Sequence, residues 1–141
     1  MDDRVKNMEK RKIYEILEFR ELFLKTRVGN ISNETSKKVI QLALNVNSTY
    51  GEFEHKSSEC LTEAIEKFGW EGQYIDKDKA RKVSSIVDPM MSEYVEGEVE
   101  YITNIMKWEE FHESIMNNPS NQDLTVEDKT MLREFLVEET A

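Results

Sequence analysis

PMMSEYVEGEVEYITNIMKWEEFHESIM, residues 89–116, decides how the rest of the chain is read. Pro89 suits a first helical position, where its missing N–H would have no partner anyway, and Asp88 before it can cap. From there Met90, Tyr94, Tyr101, Ile105, Trp108, His112 and Ile115 recur at helical spacing and share one face. Glu93, Glu96, Glu100, Lys107 and Glu110 fall on the opposite face, and Gly97 is the one weak point. The stretch predicts one uninterrupted amphipathic rod from Pro89 to about Met116.

The flanking segments predict helices too. Ile13, Leu17, Leu24 and Val28 form a stripe on a first helix of about Arg4 to Val28, stopped by Gly29-Asn30. Ser32 or Asn33 can cap a second, about Glu34 to Phe68, whose stripe is Val39, Ala43, Val46, Tyr50, Phe53, Ser57, Cys60 and Ala64. Asn45, Asn47, Ser48, Thr49 and Gly51 weaken its middle and predict a kink or break near Ser48. Gly69-Trp70-Glu71-Gly72 ends it. A short helix fits Lys77 to Val87 behind Asp76, residues 117–122 read as a loop, and Thr125 with Asp128 makes a variant capping box for a last helix bearing Met131, Leu132, Phe135 and Leu136. No alternating strand pattern with turn signals stands out. The expected fold is all-α: one domain over residues 1–141, a bundle of four to five helices, some long. Ile40, Leu44, Leu61 and Ile65 lie off the main stripe of the second helix, and a helix apolar on more than one side must bury both, so homodimerisation is expected to complete the bundle.

Charge is as uneven as the helices are long. Residues 1–88 are formally neutral, while 89–141 carry thirteen acidic side chains against Lys107, Lys129 and Arg133, the whole net charge of −10. That balance opposes direct nucleic-acid binding, whose affinity comes largely from lysine and arginine displacing counterions. Cys60 is the single cysteine, no apolar run approaches the roughly 20 residues of a membrane span, and no signal-peptide pattern opens the chain. The expected location is the cytoplasm.

Two constellations suggest metal chemistry. Glu52-x-x-His55 and Glu109-x-x-His112 contain both histidines, and residues three apart on a helix can share one ion, as in di-iron carboxylate bundles. Glu21 and Glu98 could complete the set. On a continuous rod, however, Glu98 and Glu109 would stand roughly 16 Å apart, too far for one centre. A half-site of Glu21, Glu52 and His55, closed across a dimer, survives that objection. Glu63-x-x-Glu66 and Glu93-x-x-Glu96 match the first half of the magnesium motif of the all-α nucleotide pyrophosphohydrolases, but no Glu-x-x-Asp follows. Cys60 lies on an apolar stripe with no nearby histidine to activate it.

The carboxylates of the last third, Glu93, Glu96, Glu100, Glu110 and Glu113 foremost, predict a broad negative field suited to a basic partner surface, a nucleic-acid-binding protein among the candidates. The expected function is a non-enzymatic acidic interaction module, regulatory or inhibitory, using no cofactor. The alternatives are a metal-binding helical protein and a small phage or mobile-element assembly component.

Overall fold

The computed structural model describes residues 8–138. The fold is all-α, with five α-helices: α1 (Ile13–Lys25), α2 (Asn33–Phe68), α3 (Lys77–Tyr94), α4 (Trp108–Phe111) and α5 (Val126–Leu136). A two-stranded antiparallel ribbon joins the segment before α1 to the segment after α3, β1 (Met8–Lys12) against β2 (Glu98–Ile102), with Met8 opposite Ile102 and Lys12 opposite Glu98. No helix among the described residues is long and apolar enough to cross a membrane.

The rod expected from Pro89 to Met116 is therefore broken. Helix α3 runs through Pro89 and stops at Tyr94, β2 follows Gly97, and helix resumes only at Trp108. Gly97 weakens a helix by about 1 kcal/mol relative to alanine, and Glu98-Val99-Glu100-Tyr101-Ile102 alternates as a half-buried strand does. The decisive element is the partner strand. Lys10 and Lys12 stand opposite Glu100 and Glu98, so a basic strand neutralises an acidic one. Arg11 points the other way. Its Nε donates to the Tyr101 hydroxyl at 2.7 Å, and its guanidinium lies 4.4 Å from the Phe135 ring centre.

The ribbon also explains the shorter first helix, which was expected from about Arg4. Lys12 offers no capping side chain, and the first N–H groups of α1 donate instead to backbone behind α3: Ile13 N to Gly97 O at 2.8 Å and Tyr14 N to Val95 O at 3.1 Å. Residues 4–7 of the expected helix lie outside the described residues.

Helix α2 runs without a break through Ser48, where a kink or break was expected. Ser32 caps it, accepting from Thr35 N at 3.1 Å, and Gly69 ends it in the left-handed region at φ 72°. Its weak middle is held from outside: Asn45 Oδ1 accepts from Ile102 N at 2.9 Å, so one of the supposed helix-weakening residues stitches α2 to the ribbon. At 36 residues the helix spans roughly 54 Å. Asp76 caps α3 as expected, accepting from Lys79 N at 2.9 Å. The capping box of α5 is present in both directions, and its hydrogen bond from Thr125 N, with Lys25 nearby, holds the Asp128 carboxyl below its ordinary pKa.

One core cluster joins α1, the first half of α2, β2 and the α4–α5 region. Phe19 and Phe135 stack at its centre with ring centroids 4.0 Å apart. Residues 47–100 contribute nothing buried to it. The second half of α2 and most of α3 instead form an antiparallel helical hairpin, an arm whose only buried apolar residues are Cys60, Ala64 and Val83.

Candidate interaction surfaces

Metal chemistry is best judged from where its residues fall. Glu52 and His55 line a shallow cleft of about 480 Å³ with Glu59 and Tyr94, where His55 Nε2 lies 2.8 Å from Glu59. Glu21 is on α1, highly exposed and 4.0 Å from Arg20, and takes no part in that cleft. Glu109 is exposed on α4, while half-buried His112 packs its ring 5.8 Å from that of Trp108 and its Nδ1 lies 3.3 Å from Asn117 Nδ2. The two Glu-x-x-His elements thus stand on separate elements, and no group of three or more His, Cys, Asp or Glu among the described residues is placed to hold a metal ion. Because the rod is broken, the 16 Å objection to Glu98 with Glu109 no longer applies; the scatter of the carboxylates takes its place.

The acidic face fares similarly. Glu93 sits near the end of α3, Glu96 in the turn after it, Glu100 on β2, Glu110 on α4 and Glu113 in the turn that continues α4. Lys12 Nζ donates to Glu96 at 2.8 Å, and Lys10 stands opposite Glu100. Glu110 accepts from Ser32 N at 2.8 Å and from the Thr35 hydroxyl at 2.6 Å, so it caps the start of α2, where the helix dipole favours a negative charge. Only Glu93 and Glu113 of the five lack such partners among the described residues.

Two other surfaces emerge. One is the arm. Along its seam Phe53, Ile65, Ile86, Val87, Met90 and Met91 are only half-buried, and Leu61 is 46% exposed. Its tip is closed by Trp70, stacked on Phe68 with centroids 4.4 Å apart beneath the Lys79 ammonium. No protein-family model matches this chain, and no curated protein or solved structure does. The surfaces have to be read from their own chemistry.

The second surface is a groove of about 260 Å³ between α4 and α5. Phe111 and Met116 form its floor, Trp108 and Val126 its lips, and Lys129 and Arg133 project beside it from α5. Helical spacing put Trp108 on a core face, yet it is 41% exposed. A π-helical turn, His112–Met116, continues α4 beneath it, and such wide turns concentrate at functional sites. Carbonyls at its end are bonded from other parts of the chain: Ser114 O accepts from Gly29 N at 2.9 Å, and Ile115 O accepts from Asn121 Nδ2 at 3.0 Å.

Proposed function

We propose that the protein is a non-enzymatic helical interaction module that works through its α2–α3 arm, and that the arm's occupant is a second copy of the same chain. The observation that supports this most is the half-open seam. A hairpin that buries only Cys60, Ala64 and Val83 between its helices has apolar surface to spare, and two such hairpins side by side make a four-helix bundle.

The charges select the orientation. Lys82, Ile86, Met90 and Glu93 recur at three- and four-residue steps and so share one flank of α3. The flank is basic at its start and acidic at its end. An antiparallel copy places each Lys82 on the other copy's Glu93 and lays the Ile86 and Met90 patches against each other. The basic surface that an acidic module is expected to meet is then the module's own.

Sedimentation at micromolar concentration tests this. The expected species is a dimer. Lys82→Glu and Glu93→Lys should each weaken it about three- to tenfold by setting like charges face to face, and an equimolar mixture of the two variants should restore it as a heterodimer. A monomer at every concentration, or a dimer indifferent to both reversals, would overturn the proposal.

A further inference from the structure

A second, independent site lies at the groove between α4 and α5, and we infer that it takes a segment of a partner protein in which a large apolar side chain stands beside carboxylates. The shape supports an anchor of that size. At about 260 Å³ the groove is smaller than the roughly 300–1,000 Å³ of sites that engulf a whole small molecule, and buried Phe111 with half-buried Met116 lies at its floor. Its lips stay open: Trp108 is 41% exposed and Val126 is 80% exposed. The Trp108 ring is fixed in place by the Phe111 and His112 rings, 5.7 Å and 5.8 Å away.

The charge beside the groove runs against the rest of the chain. Only three cations follow residue 88, and two of them, Lys129 and Arg133, stand here one helical turn apart. Some cations elsewhere are already engaged by carboxylates, Arg11 with Glu15, Lys12 with Glu96 and Lys25 with Asp128 among them. Lys129 and Arg133 form no ion pair among the described residues, so both charges stand open beside the apolar groove. Arg133 lies over the Trp108 ring instead, 4.8 Å from its centre, a cation–π contact that leaves its N–H donors without a carboxylate. An apolar slot with an indole lip and two unspent cations fits an anchor side chain with flanking acids: the slot takes the apolar group, and the carboxylates take charge-assisted hydrogen bonds from Arg133 and Lys129.

The test uses the full chain carrying Trp70→Phe, which leaves Trp108 as its one tryptophan. The probe is the capped peptide acetyl-Asp-Glu-Leu-Phe-Glu-Asp-amide, titrated near physiological salt and followed by Trp108 emission and by calorimetry. Two controls replace its acids with lysine or its Leu-Phe with alanine. The expected result is saturable binding of the acidic-apolar probe, at least about tenfold weaker for each control and about tenfold weaker in Arg133→Gln and in Lys129→Gln. Both substituted residues lie at the surface rather than in the core, and unchanged circular dichroism certifies the fold of each variant. No saturable response, an equal response to the lysine peptide, or binding that ignores both substitutions would overturn the inference. None of these readouts depends on whether the arm self-associates.

Discussion

Asn121 shows how much a single side chain decides here. Its amide oxygen accepts from Arg27 N at 2.8 Å, and its amide nitrogen donates to Arg27 O at 2.7 Å and to Ile115 O at 3.0 Å. The residue is 3% exposed. It ties the segment after α1 to the end of the π-helical turn, so it sets the floor of the groove as well as the fold around it. Asn121→Ala removes three hydrogen bonds to backbone; Arg27 N loses its partner outright, while Arg27 O and Ile115 O keep only the longer bonds from Asn118, and the expected cost is about 2–3 kcal/mol in urea unfolding. Composition marked residues 117–122 only as a loop, since Asn, Pro and Ser favour turns wherever the turn then packs. Glu110 teaches the same lesson: a glutamate on a charged stripe reads as a surface charge, and only the approach of Ser32 from far along the chain makes it a cap.

At the scale of elements, Pro89 is the instructive case. Asp88-Pro89 carries every local sign of a helix start, yet α3 runs from Lys77 straight through it. Proline removes one N–H donor and so releases the Ser85 carbonyl four residues earlier. Ser85 and Pro89 are both exposed, so water can take that carbonyl, while Ile86, Val87, Met90 and Met91 keep packing along α2 on both sides of the break. Packing thus overrides a local preference. Pro89→Ala is expected to stabilise α3 by about 1–3 kcal/mol, seen as slower amide exchange in that helix; no change would mean the proline is already accommodated at no cost. The caps at Ser32, Asp76 and Thr125 and the stop at Gly69 were all legible, because each acts within four residues of its own position. The ribbon was not, because β2 is stabilised by a strand some ninety residues away.

The whole molecule divides into a well-packed core and a thin arm. The core draws on α1, the first half of α2, β2 and α5, and takes no buried residue from 47–100. Removing residues 58–64 and 80–86 together shortens both arm helices by about two turns and keeps their facing sides in phase. The shortened chain is expected to keep one cooperative thermal transition and to lose self-association. A broad or absent transition in calorimetry would show that the arm supports the core. The groove lies on the core side of this division, and its residues come from two segments separated by a loop. Trp108, Lys129 and Arg133 were each visible in the sequence, the two cations as exceptions in an acidic third, but their meeting was not.

The sequence alone determined what short-range physics controls: helical content, caps and stops, the burial of Cys60 and the uneven charge. The tertiary structure decided where the long helical pattern breaks and which carboxylates are already engaged. It also decided which apolar side chains remain open. The reason is one of range. Capping and periodicity act within a turn or two of helix, whereas strand pairing, salt bridging and groove formation join residues whose neighbourhood exists only after the chain has folded.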